Sequence, residues 1–362
     1  MALYVDIEKK LGDFPLKAKF EAGAETFAIL GASGCGKSMT LKCIAGIETP
    51  DKGRIVLDGR VLFDSKEHIN MPVRKRNVGY LFQDYALFPN MTVRKNILSG
   101  MKEKGRRKEE AVREYIRRFY LEGLENLYPW QLSGGQKQRA ALARMLAAEP
   151  DIIMLDEPFS ALDSYLKWQL EQEILKVMET YQKTVLFVSH DRNEVYRLTD
   201  KIAVMEQGKL LDIQEKRQLF DSPKTLAAAL LTGCKNITRL KRESGGRYWA
   251  VDWGIWLGLE EGKEPPKYAA VRAHFFEWVS KPEPEAVFDC QLERVIEDTF
   301  SMILLFRQKG NQEEGDWTHL RYELPKADYQ KMKEQGAGVS SGEGDKELYL
   351  KIPREKLMLL WQ

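Results

Sequence analysis

One short stretch constrains this chain more than any other. Gly31-Ala32-Ser33-Gly34-Cys35-Gly36-Lys37-Ser38, here called the phosphate loop, fits the pattern G-x-x-x-x-G-K-[ST]. Its glycines let the backbone fold tightly, so that several N–H groups converge on one anion. The apolar run Thr26 to Leu30 precedes it, and helix-compatible residues follow from Met39. A strand, a glycine loop and a helix N-terminus together predict an anion site, although the pattern alone also arises by chance.

Three side chains in or near the phosphate loop have predicted roles. Lys37 would bring a positive charge to the β- and γ-phosphates of a nucleotide, and the Ser38 hydroxyl would bind Mg²⁺. Phe14 has two interpretations, since it either stacks on an adenine or belongs to the core. Cys35 stands where the pattern accepts any residue, so filler is preferred over a redox role.

A second helix N-terminus and a pair of carboxylates follow further along the chain. Ser133-Gly134-Gly135-Gln136, here called the Ser133 segment, leads directly into a helical Ala-, Leu- and Arg-rich run. The apolar run Ile152 to Leu155 ends at Asp156 and Glu157. At the carboxyl end of a parallel strand, Asp156 would hold Mg²⁺ directly or through water. Glu157 would polarise the attacking water as general base.

His190 ends another apolar, strand-like run, Thr184 to Ser189. A single histidine is more often structural than catalytic, but this one falls on the edge where parallel sheets bind ligands. We therefore expect it to contact a γ-phosphate.

The pattern of strand-like and helix-like segments changes along the chain. Strand-like and helix-like segments alternate to about residue 200, which predicts a parallel α/β sheet. Beyond Gly233, short alternating segments predict an all-β domain of barrel type. The predicted domains are a nucleotide-binding domain at 1–222 with a helical subdomain at about 90–150, a linker helix at 223–234 and a β-rich domain at 235–362.

Composition argues against several classes of partner. The 56 basic and 54 acidic residues leave a net charge of +2, which gives no electrostatic case for nucleic acid or an anionic membrane. The four cysteines lack metal-ligand spacing and are typical of reduced thiols in a cytosolic protein. No apolar run reaches the roughly 18–20 residues of a membrane span, so any membrane role would come through a partner.

The phosphate loop, the Ser133 segment and the Asp156-Glu157 pair stand in the order typical of the ATP-binding cassette family, which residues 1 to about 235 resemble. The resemblance implies an α/β P-loop cassette with a helical subdomain. It also implies a head-to-tail homodimer, in which each ATP lies between the phosphate loop of one copy and the Ser133 segment of the other. All motifs are intact, so we expect ATP hydrolysis with Mg²⁺ as cofactor.

The resemblance also assigns individual residues. Gln83 would be a lid glutamine that senses Mg²⁺ and the partner copy, Asp163 would lie in a loop crossing the dimer interface, and His190 would be the switch histidine. The residues expected to bind ATP within one copy are Gly31, Ala32, Ser33, Gly34, Cys35, Gly36, Lys37, Ser38, Met39 and Phe14. Those expected to bind it from the other copy are Ser133, Gly134, Gly135, Gln136 and Asp163. The expected metal ligands are Ser38, Gln83 and Asp156, and the expected catalytic residues are Glu157, His190 and Gln83.

A cassette followed by a β-rich domain resembles the ATPase subunit of a bacterial importer. Lys52–Asp64 and Val78–Pro89 are most similar to molybdate/sulfate-type importers, although iron, polyamine and sugar importers share parts of them. Molybdate is expected first as the solute, then sulfate or tungstate. The resemblance implies membrane permease subunits contacting residues near 84–100 and an indirect extracytoplasmic solute-binding protein. It also implies a peripheral position on the cytoplasmic face of the membrane.

The β-rich domain resembles the TOBE or OB-like regulatory domain of such subunits, but it contains no recognisable repeated oxyanion-binding sequence. Cys234–Ile237 and Val271–His274 fall where that barrel begins and continues. A regulatory ligand site and a role in dimer stabilisation stay open as alternatives. The alternative of another class is a soluble, non-transport cassette ATPase. Such proteins typically carry paired cassettes or a long coiled-coil insertion, and this sequence has neither.

Overall fold

Two compact units make up the chain, Met1–Arg217 and Gln218–Gln362. The computed structural model describes residues 3–82, 84–101, 106–159, 164–243, 247–259, 264–279, 281, 285–313, 315–334 and 348–361. Two of the predicted site residues, Gln83 and Asp163, lie outside the described residues.

The first unit is built on one sheet of 11 strands within the described ranges. They are β1 (Leu3–Leu11), β2 (Phe14–Ala22), β3 (Thr26–Leu30), β4 (Lys52–Leu57), β5 (Arg60–Asp64), β6 (Ile69–Asn70), β7 (Val78–Leu81), β8 (Ile152–Asp156), β9 (Val185–Ser189), β10 (Lys201–Glu206) and β11 (Lys209–Glu215). Their order across the sheet is β6-β5-β4-β1-β2-β11-β10-β3-β9-β8-β7.

The sheet has two halves of different character. Strands β7, β8, β9, β3 and β10 run parallel, whereas β2, β1, β4, β5 and β6 pair antiparallel. The half that carries the phosphate loop is the parallel sheet that the sequence predicted, and the sequence also indicates the hairpin at Lys52–Asp64 with its turn at Asp58-Gly59. Turns such as Asp58-Gly59, both at positive φ, build the other half, because a two-residue hairpin joins only antiparallel strands.

Seven helices precede the division between the units in the described residues. They are α1 (Lys37–Ala45), α2 (Val73–Arg76), α3 (Val93–Gly100), α4 (Arg106–Arg118), α5 (Gly134–Leu146), α6 (Ser164–Thr180) and α7 (Arg192–Leu198). Helix α8 (Lys216–Asp221) spans the division. Helices α3, α4 and α5 pack together in the predicted helical region. In α4, Val112 and Ile116 are buried four residues apart, and the charged residues between them form the outer face.

The core of the first unit fixes the positions of the strand ends. Every residue of β3, β8 and β9 is buried. Phe20 and Phe27 stack with ring centroids 4.9 Å apart inside this core. Burying one such aliphatic or aromatic side chain contributes about 1.5–3 kcal/mol, so these strands are rigid supports for the loops that follow them.

The second unit contains two five-stranded antiparallel sheets in its described part, ordered β14-β13-β12-β15-β21 and β16-β20-β17-β18-β19. The strands are β12 (Asn236–Arg242), β13 (Tyr248–Ala250), β14 (Ile255–Leu257), β15 (Tyr268–Val271), β16 (Glu277–Val279), β17 (Val287–Glu297), β18 (Ser301–Gln308), β19 (His319–Pro325), β20 (Leu348–Lys351) and β21 (Met358–Leu360). Helix α9 (Leu226–Leu231) precedes them, and α10 (Lys326–Glu334) adds a helix to a domain predicted as all-β. Tyr329 and Met332 of α10, three residues apart, complete the core of this unit.

The two stretches considered for a regulatory ligand bind each other and their neighbours. The Cys234 thiol donates to the carbonyl of Val271 over 3.2 Å, and Arg272 Nη1 donates to the carbonyl of Thr232 over 3.0 Å. Arg272 also donates to the carbonyl of Phe220. These bonds tie the segment around α9 to the strand β15, which is a structural role for Cys234 and Arg272.

Candidate active site

Three buried parallel strands end at one edge of the first unit's sheet. Leu30 of β3 pairs with Ser189 of β9, and Asp156 of β8 pairs with Val188 of β9. The residues that follow these strands, which are the phosphate loop, Glu157 and His190, therefore lie side by side. In open α/β sheets this edge, at the carboxyl ends of the strands, is where ligands bind.

The phosphate loop has a backbone that few residues other than glycine adopt. Gly34 and Gly36 have φ of 79° and 109°. A Cβ atom at Gly31 would lie 2.4 Å from the carbonyl oxygen of Met205, so no side chain fits there. Helix α1 begins after Gly36, and no side chain caps that end within the part of the chain that the structure describes. The first N–H groups of α1 can therefore bind an anion.

Lys37 points its ammonium into the phosphate loop. The residue is 4% exposed, and Nζ donates to the carbonyls of Gly31 over 2.8 Å and Ala32 over 2.9 Å. The same Nζ lies 4.0 Å from Glu157 Oε1. A positive charge held among backbone dipoles in this way attracts phosphate oxygens at the helix N-terminus.

Ser38 and Asp156 lie together at the base of the phosphate loop. The Ser38 hydroxyl donates to Asp156 Oδ1 over 2.7 Å, and the Tyr80 hydroxyl donates to Asp156 Oδ2 over 2.7 Å. A hydroxyl and a carboxylate are the oxygen ligands that Mg²⁺ prefers, and it usually takes few protein ligands together with substrate phosphates. The pair fits such a metal, and the described residues contain no cluster of three His, Cys, Asp or Glu that would hold an ion without phosphate.

Tyr80 was not predicted as a site residue. Burial, followed by the neighbouring Asp156 charge, raises the pKa of Tyr80, so its hydroxyl remains a donor at neutral pH. In the sequence it is only an aromatic residue in a strand-like run, and the parallel register that brings it to Asp156 cannot be read from that run.

Glu157 has an uncommon backbone conformation directly after β8. Its φ is 45°, and its N–H donates to the carbonyl of Val188 over 3.0 Å. Its Oε1 lies 3.3 Å from His190 Nδ1, while the His190 side chain is half exposed. A glutamate adopts this left-handed backbone conformation only at a cost in conformational free energy, and such residues are frequent at functional sites. The carboxylate and the imidazole therefore face the same space above the strands.

A partly buried ion network supports the loop that carries His190. The Ser189 hydroxyl donates to Glu194 Oε2 over 2.5 Å. Lys167 of α6 bridges Asp191 Oδ2 at 2.7 Å and Glu194 Oε1 at 2.6 Å. Burial alone would favour the neutral forms, but these contacts outweigh it, so the pKa of Asp191 is lowered and the pKa of Lys167 is raised. Sequence reasoning missed Lys167, because it is one charged residue on an amphipathic helix.

Helix α1 is also anchored at its far end. The guanidinium of Arg76 is fully buried and donates to the carbonyls of Cys43 over 3.0 Å and Ile44 over 2.7 Å. It also donates to the carbonyl of Met71 over 2.8 Å and the side chain of Asn70 over 2.9 Å. A cation at the last carbonyls complements the helix dipole, so Arg76 fixes the helix whose other end follows the phosphate loop.

Phe14, Met39 and Cys35 pack beside the phosphate loop. Phe14 Cε1 would lie 3.5 Å from a Cβ at Gly36, so the ring flanks the loop, yet Phe14 and Met39 also pack on the core. Both interpretations of Phe14 thus remain open. The Cys35 thiol is buried, and that burial raises its pKa, which keeps it protonated.

The Ser133 segment forms the N-terminus of α5, and its first and last residues exchange two hydrogen bonds. Ser133 Oγ accepts from the N–H of Gln136 over 3.3 Å, and Gln136 Oε1 accepts from the N–H of Ser133 over 2.9 Å. Ser133 and Gly134 are exposed, whereas Gly135 is buried. Among the hydrogen bonds and ion pairs of the described residues, none joins this segment to the phosphate loop. The structure therefore does not bring these two predicted halves together within one chain.

Sequence comparisons identify relatives of this chain. A family model described as ABC transporter matches residues 15–160. The sulfate/thiosulfate import ATP-binding protein CysA of Caulobacter vibrioides is 38% identical over 299 residues, which are 80% of this chain and 84% of that protein. The Fe(3+) ions import ATP-binding protein FbpC of Haemophilus influenzae is 46% identical over 58% of this chain. That match spans only 60% of the iron protein's own length.

Solved structures give the same fold. A dimeric ATP-binding cassette in a post-hydrolysis state, bound to ADP and Pi, matches with a TM-score of 0.51 and 29% identity over 60% of this chain and 99% of that chain. The cbiO1 protein of Clostridium perfringens, part of the complex cbiONQ, matches with a TM-score of 0.51 and 26% identity over 60% of this chain and 90% of that chain. The predicted P-loop cassette followed by a β-rich, OB-like region is confirmed. No helix in the described residues is long and apolar enough to cross a membrane.

Proposed function

Because the chain belongs to the ABC transporter family of ATP-binding proteins, we propose that it hydrolyses ATP to drive an import system for a small oxyanion. One observation carries the proposal. The phosphate loop, Asp156, Glu157 and His190 converge at the carboxyl ends of three adjacent parallel strands. Such an edge, with an uncapped helix N-terminus and buried Lys37 beside two carboxylates, suits a nucleotide triphosphate.

In the proposed reaction, the N–H groups at the start of α1 and the Lys37 ammonium bind the phosphates of ATP. Ser38 and Asp156 would hold Mg²⁺, which neutralises charge that develops on the phosphate oxygens. Glu157 orients a water and accepts its proton as the water oxygen attacks the γ-phosphorus and ADP leaves. His190, 3.3 Å from Glu157, would donate a hydrogen bond to the γ-phosphate. Phe14 would flank the base.

We propose that the working unit is a homodimer. The Ser133 segment of each copy would complete the nucleotide site of the other, with Gln83 and Asp163 acting at the interface as the family resemblance implies. Two observations support this arrangement. No hydrogen bond or ion pair links the Ser133 segment to the phosphate loop among the residues described, and a solved cassette of the same fold is dimeric. Turnover per chain is therefore expected to fall when the protein is diluted below its dimer affinity.

The proposed partners are permease subunits in the membrane, with a solute-binding protein acting through them. The chain would sit on the cytoplasmic face, and membrane attachment would come from the permease, since no described helix could cross a bilayer. Residues near 84–100 would meet the permease. The division into a nucleotide-binding domain at 1–222, a linker helix at 223–234 and a β-rich domain at 235–362 is also proposed, from the sequence pattern and the family resemblance.

For the solute, the name of the relative that matches over most of its length favours an oxyanion, sulfate or thiosulfate. Molybdate belongs to the same chemical class and is proposed with it. Fe³⁺ is the second candidate, because the iron protein is 46% identical over the 214 residues that it matches. Uptake of labelled sulfate, molybdate and Fe³⁺ by cells whose only copy carries Glu157→Gln separates them. Uptake of the solute that this protein serves should be lost in these cells, whereas uptake of the other two solutes should be unchanged.

The Glu157→Gln substitution tests the enzymatic proposal. It preserves side-chain volume and removes the base, so ATP binding is expected to persist while hydrolysis falls by about 10²–10⁴-fold. Glu149→Gln is a matched control, since Glu149 also has a left-handed backbone, with φ of 46°, but lies after α5 on the exposed surface. Phosphate release by the purified full chain measures both. Near-normal hydrolysis by Glu157→Gln would remove the assignment of the base.

A further inference from the structure

The Asp156 carboxylate is held by two hydroxyl groups, one on each oxygen. Ser38 donates to Oδ1 over 2.7 Å, and Tyr80 donates to Oδ2 over 2.7 Å. Asp156 is 6% exposed, so water has little access to it. Ser38 belongs to the phosphate loop, whereas Tyr80 comes from a different element, the edge strand β7.

The parallel register explains how Tyr80 reaches this carboxylate. Tyr80 of β7 pairs with Met154 of β8, and Asp156 lies two residues further along β8. Residues two apart on a strand share a face, so Tyr80 and Asp156 are diagonal neighbours with Cα atoms about 8 Å apart, a separation that their two side chains together span. The Tyr80 ring is supported by Phe82, with centroids 4.3 Å apart, and packs against the core of the first unit.

The torsion that turns an aspartate carboxylate is broad, with no single sharply preferred angle. One hydroxyl fixes one oxygen and leaves the carboxylate plane free to rotate about it. A second hydroxyl on the other oxygen fixes the plane. The Tyr80 contact is therefore the part of this geometry that a serine alone cannot provide.

We propose that Tyr80 is a positioning residue, which orients the Asp156 carboxylate so that Oδ1 and the Ser38 hydroxyl form a preset pair of oxygen ligands for the Mg²⁺ that accompanies ATP. The inference rests on the proposed function, since it assigns a role within the same site. Tyr80 acts through Asp156 and does not itself contact the nucleotide. Without its hydroxyl, the carboxylate must be ordered when the metal binds, which weakens the metal's contribution to nucleotide binding.

ATP affinity with and without Mg²⁺ tests this role directly. The substitution Tyr80→Phe keeps the ring and its contact with Phe82 and removes only the hydroxyl. It is made in the full chain carrying Glu157→Gln, so that hydrolysis does not obscure binding. Calorimetry gives the dissociation constant of ATP in excess Mg²⁺ and in EDTA. We expect Tyr80→Phe to reduce the Mg²⁺-dependent gain in ATP affinity by about tenfold, as for a lost hydrogen bond to a charged acceptor.

Tyr181→Phe is the matched control. Tyr181 is also a partly buried tyrosine of the first unit, and its hydroxyl donates to the carbonyl of Pro150 over 3.0 Å, away from Asp156. It should leave the gain from Mg²⁺ unchanged. Affinity in EDTA should be the same in all three proteins, which also reports that each variant is folded.

Three outcomes would overturn the inference or its premise. If Tyr80→Phe lowers ATP affinity equally with Mg²⁺ and in EDTA, the residue only supports the structure, and the positioning role is wrong. If its gain from Mg²⁺ equals that of Tyr181→Phe, the role is also wrong. If the chain with intact tyrosines binds no ATP, the proposed function itself fails.

Discussion

Two helix N-termini in the first unit satisfy their first N–H groups in different ways. Helix α1 starts after Gly36, whose φ of 109° suits glycine, and no side chain caps it among the described residues. Helix α5 starts after Ser133, where Ser133 and Gln136 exchange two hydrogen bonds in a capping box. Both ends carry the positive pole of a helix dipole. The box pairs the N–H groups of Ser133 and Gln136 alone, so α5 is partly capped, whereas α1 has no side-chain cap among the described residues.

The difference indicates which half of the proposed site binds first. The end of α1 has a buried lysine and converging N–H groups, so it can hold phosphates within one chain. The end of α5 is partly capped by its own side chains and exposes Ser133 and Gly134. Such an end adds little binding alone but can complete a site formed elsewhere. We therefore expect a nucleotide to bind α1 first and to recruit α5 of a second copy.

The largest expected effect is at α1. Lys37 is the one charged residue of the phosphate loop, and its ammonium points into that loop. Lys37→Ala removes this charge, and hydrolysis is expected to fall by about 10²–10³-fold or more. Lys42→Ala removes a lysine from the last turn of the same helix and serves as control. ATP affinity and steady-state phosphate release measure both. Equal activity of the two variants would mean that α1 is not the phosphate-binding end.

A smaller effect is expected at α5, where cap and ligand roles separate. Ser133→Asp retains a good N-cap but places a negative charge at the proposed position of the partner's phosphates. Hydrolysis should fall by about 10–100-fold through repulsion, with the thermal midpoint unchanged. Ser133→Ala should instead lose about 1 kcal/mol of stability and keep more activity than Ser133→Asp. The reverse order of activities would contradict a ligand role for this segment.

Mixing the two variants tests the assignment to separate copies. In a mixed dimer of Lys37→Ala and Ser133→Asp chains, one site combines an intact phosphate loop with an intact Ser133 segment. Hydrolysis after mixing the two impaired preparations should therefore exceed the sum of their separate activities. If both halves of a site belonged to the same chain, mixing would restore nothing.

Those site residues that belong to a short sequence motif could be predicted from the sequence. The phosphate loop, the Asp156-Glu157 pair and His190 each directly follow a buried apolar run, so their common edge follows from parallel pairing. The Ser-x-x-Gln spacing of Ser133 and Gln136 is also a local signal, since it is the pattern of a capping box. Sequence reasoning used that segment only as an anion site and missed its own hydrogen bonds.

Residues whose role depends on register were not predictable. Tyr80 reaches Asp156 across 76 positions of sequence, and Arg76 reaches the carbonyl of Cys43 across 33. Lys167 joins α6 to the loop of His190 across 24 positions. Each is an ordinary aromatic or charged residue in its own segment. Only the three-dimensional pairing of strands and helices gives it a partner.

The smallest expected effect concerns the cap itself. Gln136→Ala removes the acceptor of the Ser133 N–H, a bond of 2.9 Å at the surface. Losing one such neutral hydrogen bond should speed amide exchange in the first turn of α5 by about two- to fivefold. Gln131→Ala is the matched control, because Gln131 Oε1 accepts from the N–H of Tyr128 over 2.8 Å in the preceding turn.

Hydrogen exchange of the full chain, followed by mass spectrometry of the peptide that begins α5, measures this change. If Gln136 acts only through the cap, the rate of hydrolysis should fall by no more than about fivefold, the same factor by which amide exchange is expected to rise. A loss of hydrolysis well beyond fivefold, with the same small change in exchange, would mean that the Gln136 side chain leaves the cap to bind the nucleotide of the partner copy. The capping box of α5 would then open on binding, and the contrast with α1 would hold only before the dimer forms.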